Sequence, residues 1–249
     1  MNTANEHLVV CLGASIVRGQ ISSSFVDVLI ERMGQDGYRF VNQGVAGYEA
    51  YDVLTRLDQA VSLNPDAVVI LVGTNDVTAT LNPTTERLSR LTKRPPQPHS
   101  AQFYHDSMRQ IVRTLKEKTS ARIGLASLPI LGEDLASLPN QRIRAYNALL
   151  KEMAAEERVA YLPVYERQEA YLKNTQHEMG RAFEGGIRSS LMLLVRHYVL
   201  GQSFDTISEK NGYMLVTDGI HMNSRGAALI ADEVESFLRT QTPLTRSTL

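Results

Sequence analysis

The chain has a single cysteine, Cys11, and it lies inside an apolar run. A disulfide framework and a cysteine-based zinc site within the chain are therefore excluded. An excess of either charge is also missing: 26 Lys and Arg stand against 27 Asp and Glu, a formal net charge of −1. Such a balance provides no strong field for nucleic acid or a membrane surface. No apolar run reaches the roughly 18 residues that a membrane span needs. The opening MNTANEHLVV lacks the basic region and long apolar stretch of a signal peptide. The expectation is a soluble cytoplasmic protein with no membrane span and no nucleic-acid partner. Internal repeats and low-complexity segments are absent too, and 249 residues suffice for one large α/β domain over the whole chain.

What is present is an alternation of short β-type runs and helical stretches. His7–Leu12, Tyr38–Asn42, Asp66–Val72, Ala121–Leu128 and Val159–Val164 read as strands. The third, DAVVILV, is apolar on both faces, as strands of buried parallel sheets tend to be. Ser22–Met33, Glu49–Leu63, Ser100–Lys118, Asn140–Glu157 and about Ser224–Arg239 read as helices, with Ser100 and either Asn223 or Ser224 as N-caps. RPPQPH, before Ser100, reads as irregular loop. Strand–helix alternation predicts a parallel sheet covered on both faces. Ligands bind such sheets beyond the carboxyl ends of the strands.

One segment breaks the rhythm. Glu166–Gly212 is longer than an ordinary connection and is expected to be a functional or packed insertion. Within it, GIRSSLMLLVRHYVL (186–200) reads as a helix apolar on most of its surface. Such a helix needs cover. The expectation is burial against the core or in a homodimer; the sharper alternative is a lid or acyl-chain wall over a site.

The residues at the strand ends carry chemistry. Gly13-Ala14-Ser15 follows the first strand, Gly44-Val45-Ala46-Gly47-Tyr48 the second, and Gly73-Thr74-Asn75-Asp76 the third. Asp218-Gly219-Ile220-His221 precedes the last helix. Taken singly, each has a plain reading: Ser15 as a helix cap, the glycines and Asn75-Asp76 as turns, Asp218 and His221 as a surface turn. Taken together, they are the parts of an acyl-transfer site. A serine hydroxyl needs a base, and His221 titrates in the right range. Asp218, three residues before it, can orient the ring across a tight turn. The amides of Ser15 and Gly47 and the side chain of Asn75 are suitable oxyanion donors. Tyr48, Val77 and Met222, beside these residues, are candidates for lining a substrate pocket.

With LGASIVRG, NQGVAGYEA, VGTNDV and DGIHMNSRG in hand, the chain resembles the SGNH hydrolases, or GDSL esterases and lipases, from residue 8 to about 238. Ser15 matches that family's nucleophile, Gly47 and Asn75 its oxyanion residues, and Asp218 and His221 its acid and base. The resemblance implies a three-layer α/β/α fold with a five-stranded parallel sheet, flavodoxin-like in strand order. It also implies hydrolysis of a small-molecule ester or thioester through an acyl-enzyme, with no metal or organic cofactor. An acyltransferase using the same site and a non-catalytic binding protein are the alternatives. One departure stands out: the family's usual Gly-Asp-Ser is Gly-Ala-Ser here, so Ala14 leaves open what ties the loops together beside Ser15.

Overall fold

The computed structural model describes residues 6–175, 183 and 187–240, without the side chains of 85, 88, 92 and 187–190. Five strands, β1 (His7–Gly13), β2 (Tyr38–Gly44), β3 (Ala67–Leu71), β4 (Arg122–Ala126) and β5 (Ala160–Leu162), form one sheet in the order β2-β1-β3-β4-β5. Every pairing is parallel, from His7 beside Tyr38 at one edge to Ala126 beside Leu162 at the other. β3 is buried along its whole length, which is why its sequence is apolar without alternation.

Parallel neighbours need crossovers, and helices supply them on both faces. The helices run α1 (Ser15–Arg18), α2 (Phe25–Met33), α3 (Ala50–Thr55), α4 (Leu57–Val61), α5 (Thr74–Leu81), α6 (Pro83–Lys93), α7 (Ala101–Lys118) and α8 (Leu138–Glu157). They continue with α9 (Val164–Asn174), α10 (Ile187–Leu194), α11 (Phe204–Lys210) and α12 (Ser224–Arg239). α2 and α12 pack together on one side of the sheet, while α7 contacts α3 and α8 on the other. The shared core includes Phe25, Leu29 and Ile230 in the first layer and Met108, Ile111 and Leu150 in the second.

Local chemistry sets the helix ends. Ser24, Ser100 and Asn223 each accept an amide from the first turn of α2, α7 and α12, at 3.1, 3.0 and 2.9 Å. The helix expected over 49–63 is broken at Arg56 into α3 and α4. The irregular loop expected at 94–99 lies there, and the helices α5 and α6 that precede it have no counterpart in the sequence reading. Gly73, at φ +135°, caps α5, and a Cβ there would lie 2.5 Å from the Tyr104 ring. Backbone conformation and packing both require glycine at that position.

The expected insertion is organised differently from a uniform apolar helix. Its first part is α9, and 187–200 forms α10 followed by a π-helical turn at Val195–Val199. Only Leu193 of this stretch is buried among the described side chains, whereas Leu191, Met192, Val195, Tyr198, Val199 and Leu200 are exposed. Of the two expected kinds of cover, burial against the core is corrected for most of this stretch, Leu191 and Val195 included.

The segment after α11 returns to the sheet through an acid. The carboxylate of buried Glu133 accepts the amides of Met214, Leu215 and Val216 at 2.9, 2.6 and 3.2 Å. Gly132 adds a 2.7 Å amide bond to the carbonyl of Gly219. Glu133→Ala leaves those amides without their acceptor, at about 1–3 kcal/mol each where water cannot reach them. The expected outcome is a lower urea midpoint with an unchanged m-value, measured by circular dichroism.

Candidate active site

Ser15 is the first residue of α1, and the cap position belongs to Ala14, which makes no side-chain cap bond. The serine hydroxyl therefore serves no helix end. It lies 3.0 Å from Nε2 of His221, a contact across 206 residues of chain. Both residues are buried, at 8 % and 4 % exposure, so little water competes for that bond.

The acid side is built by the turn at 217–222. Asp218 Oδ2 is 2.8 Å from His221 Nδ1, while Oδ1 accepts the amides of Ile220 and His221 at 3.0 and 2.9 Å. Burial alone would raise the Asp218 carboxyl. The charge and hydrogen bonds of His221, with the two amides, outweigh it and hold the carboxyl below its ordinary value. The ring is thus held at one nitrogen and presented to serine at the other. Thr217 closes the turn by donating both its amide and its hydroxyl to the His221 carbonyl, at 2.7 and 3.0 Å. Next to it, the Met222 amide donates to Ser22 Oγ at 3.1 Å and Ser23 donates to the Met222 carbonyl at 2.9 Å. These bonds tie the histidine turn to the segment that follows α1.

The oxyanion candidates Gly47 and Asn75 follow the ends of β2 and β3. Gly47 has φ +78° in a turn closed by Tyr48 N–H on the Val45 carbonyl at 3.2 Å. Asn75 Nδ2 donates to the Tyr48 carbonyl at 2.8 Å. One amide proton of Asn75 is fixed in this way, and the other is left for a ligand. The Ser15 amide, at the first position of a helix, has no intrahelical acceptor. The structure thus brings Asp218, His221 and Ser15 into one line and sets Asn75 against the loop that follows Gly47.

Of the pocket-lining candidates, Tyr48 is half-buried and lines a cavity of about 160 Å³ with Arg18, Gly44, Val45 and Arg56, and that lining does not include Ser15, Gly47, Asn75 or His221. Val77 and Met222 have no exposed surface; they are core residues, and the expectation that they line a pocket is corrected. Met222 Sδ accepts from Gln168, also buried. Adjacency in sequence to a site residue does not direct a helical or turn side chain toward the same side.

Ala14 is buried at 6 % exposure, and its carbonyl accepts the Arg18 amide at 2.9 Å. The tie between the first two loops runs instead through Asn42. Its Nδ2 donates to the Val17 carbonyl at 2.6 Å and its Oδ1 accepts the Gly44 amide at 2.9 Å. The Val45 amide bonds the Gly13 carbonyl at 3.1 Å alongside.

Two acids beside the oxyanion loop escape a sequence reading. Glu49 is buried, and its carboxylate meets Ser89 Oγ at 2.7 Å, Lys93 Nζ at 3.0 Å and His99 Nε2 at 3.0 Å. Burial would raise it, but the Ser89 bond, the Lys93 charge and His99 hold it below its ordinary value. Asp76 accepts the Ala50 amide on both oxygens, at 3.3 and 3.1 Å. Burial, then repulsion from Glu49, push it up from 3.8 to about 7. In sequence, Asp76 looks like a turn residue, and the partners of Glu49 lie 40 to 50 positions away.

The Asp76 shift has a sign. Between about pH 4 and 7 the native carboxyl holds a proton that the unfolded chain has released, so stability falls as pH rises through that window. Above about 7 both states are ionised and the effect is fully developed. Asp76→Asn removes the group, and the wild-type-minus-variant difference in urea midpoint should decline across that window and then level off. A flat difference would show that the acid is not raised.

Comparison with known proteins agrees with this architecture. A model of the GDSL-like lipase/acylhydrolase family matches residues 11–229. No curated protein matches the chain. Among solved structures, the chain is similar to the acetyl xylan esterase AlAXEase at TM-score 0.66 and 19% identity, over 93% of this chain and 99% of that one. It is similar to Axe2, an acetylxylan esterase from Geobacillus stearothermophilus, at TM-score 0.68 and 15% identity, over 96% of each chain. LAE5, an alpha/beta hydrolase enzyme from the metagenome of Lake Arreo, Spain, aligns at TM-score 0.65 and 18% identity, over 94% and 95%. At these identities the structures speak for the fold, and the family model speaks for descent: with matched residues from strand β1 to helix α12, the chain belongs to the GDSL-like lipase/acylhydrolase family.

Proposed function

We propose that this protein is a serine hydrolase that cleaves carboxylic esters through an acyl-enzyme. The observation that carries the reading is the continuous line Asp218–His221–Ser15, with contacts of 2.8 and 3.0 Å. His221 takes the Ser15 proton as Oγ attacks the carbonyl carbon. Asp218 holds the ring and stabilises the imidazolium that forms. The amides of Ser15 and Gly47 and the free proton of Asn75 receive the oxyanion. His221 then gives its proton to the leaving alcohol, and water repeats the sequence to release the acid. No cofactor enters any of these steps.

The substrates to try first are small acetyl esters, including acetylated xylo-oligosaccharides, because solved structures of similar fold carry those activities in their names. The acyltransferase alternative gains no support, since of the apolar side chains of 191–200 Leu193 is buried while Leu191, Met192, Val195, Tyr198, Val199 and Leu200 are exposed. A purely binding role leaves the buried Ser15–His221 contact without a purpose.

With p-nitrophenyl acetate, Ser15→Ala should lower turnover by several orders of magnitude and abolish labelling by a fluorophosphonate. Asn75→Ala should cost about 10²–10³ in kcat, as loss of one oxyanion donor does. Wild-type turnover in the Ser15 variant would sink the assignment.

The reading includes a cytoplasmic homodimer as its assembled form. The exposed apolar side chains Leu191, Met192, Val195 and Val199 form a face suited to a second copy. Light scattering should give twice the mass of the chain, and Leu191→Glu with Val199→Glu should return it to a monomer. A monodisperse wild-type monomer would end this part of the reading.

A further inference from the structure

The four residues 47–50 are each held by side chains from later in the chain. Lys93 Nζ donates a short hydrogen bond to the Gly47 carbonyl. The Tyr48 carbonyl accepts Asn75 at 2.8 Å, and the Ala50 amide donates to Asp76. The Glu49 side chain takes Ser89, Lys93 and His99. Two of the partners belong to α5, the helix that provides Asn75 itself. The others come from α6 and the loop after it, a segment outside the strand-end motifs.

Resting on the serine-hydrolase reading, we propose that Lys93 and Glu49 are positioning residues for the oxyanion hole. Together they lock the peptide that follows Gly47 and so fix where the Gly47 amide points. The mechanism lies in how the groups are shared. Lys93 is one-quarter exposed, and its ammonium bridges the Gly47 carbonyl, Glu49 Oε1 at 3.0 Å and Asp52 Oδ2 at 3.4 Å. Asp52 Oδ2 in turn accepts the Glu49 amide at 2.9 Å, forming the box that starts α3. One cation therefore joins the loop that carries Gly47 to the first turn of the helix behind it.

Glu49 makes that arrangement stiff. Its side chain is 5 % exposed, and a buried carboxylate persists only when its oxygens are answered. Both are: Oε1 by Ser89 and Lys93, Oε2 by His99, whose ring is 2 % exposed. Moving the loop outward would strip these partners from a desolvated charge. On α6, Leu91 is 67% exposed, while Ser89 and Lys93 reach Glu49 and Gly47 and fasten the helix to the site.

An oxyanion donor must be in place before the charge develops, and a small misplacement is costly in rate. A positioning role therefore acts on kcat and on affinity for a tetrahedral adduct. A merely structural role acts on thermal stability alone. The test uses the full chain, p-nitrophenyl acetate as substrate and phenylboronic acid as the tetrahedral probe. Lys93→Ala should lower kcat by about 10- to 100-fold, with KM within about threefold of wild type. Boronate affinity should fall by a similar factor, and Lys93→Arg should recover part of both. Glu49→Gln, which keeps the shape and removes the charge, should give the same kcat-selective loss. If Lys93→Ala does not fold, the charge-balanced pair Lys93→Met with Glu49→Gln carries the measurement and should show the same deficit. Wild-type kcat and boronate affinity in these variants would overturn the proposal while leaving the esterase reading intact, as would a loss confined to KM. Absence of Ser15-dependent hydrolysis in the wild type would overturn both.

Discussion

The hydrogen bond from Ser15 to His221 joins the first turn after β1 to the turn before α12, with 206 residues between them. Closing so long a loop costs entropy, and a single 3.0 Å contact does not offset it. The sheet does most of that work. Parallel pairing of β2, β1 and β3 brings three strand ends to one rim, where Ser15, Gly47 and Asn75 begin the next segments. The fourth element reaches the rim by a different route. Glu133 holds residues 214–216, and Val216 pairs with Met222 across the turn that contains Asp218 and His221.

Buried acid is the recurring device around this contact, and its form depends on the partner. Asp218 faces a ring and two amides and stays ionised, as orientation of the ring requires. Glu49 faces a lysine, a histidine and a hydroxyl, and it too stays ionised. Asp76 faces a backbone amide in full burial beside Glu49, and it moves to about 7. Two neighbouring carboxylates with one nearby ammonium cannot both be charged at low cost. Full burial raises Asp76 most, and repulsion from Glu49 adds to it, while Glu49 itself is held down by Ser89, Lys93 and His99. Those partners of Glu49 reach it only after α6 folds back on the loop.

That distinction separates what the sequence reveals from what it hides. The five strands, helices α7 and α12 with their caps Ser100 and Asn223, and the blocks holding Ser15, Gly47, Asn75, Asp218 and His221 are legible because each rests on a local pattern. Periodicity and turn chemistry act within a few residues, and strand ends fix the rim once the sheet is parallel. The hidden parts are of another kind. Helices α5 and α6 are short, and α6 has little apolar stripe to announce it. Glu49, Lys93, His99 and Glu133 act only through partners tens of residues away. Val77 and Met222 show the converse, because closeness in sequence to a motif says nothing about which way a side chain turns.

The missing acid at position 14 follows from the same chemistry. The neighbourhood of Ala14 presents both a carbonyl, Val17 C=O, and an amide, Gly44 N–H, that need partners. A carboxylate accepts and cannot donate, so it would answer the amide and leave the carbonyl unmet. Asn42 does both jobs with one neutral side chain, at 2.6 and 2.9 Å, and it reaches the gap from β2 rather than from the nucleophile turn. Alanine at 14 then only has to fit, and at 6 % exposure beneath Gly44 it does. In this chain the tie between the two loops comes from the end of β2, and the hydroxyl beside Ala14 faces His221.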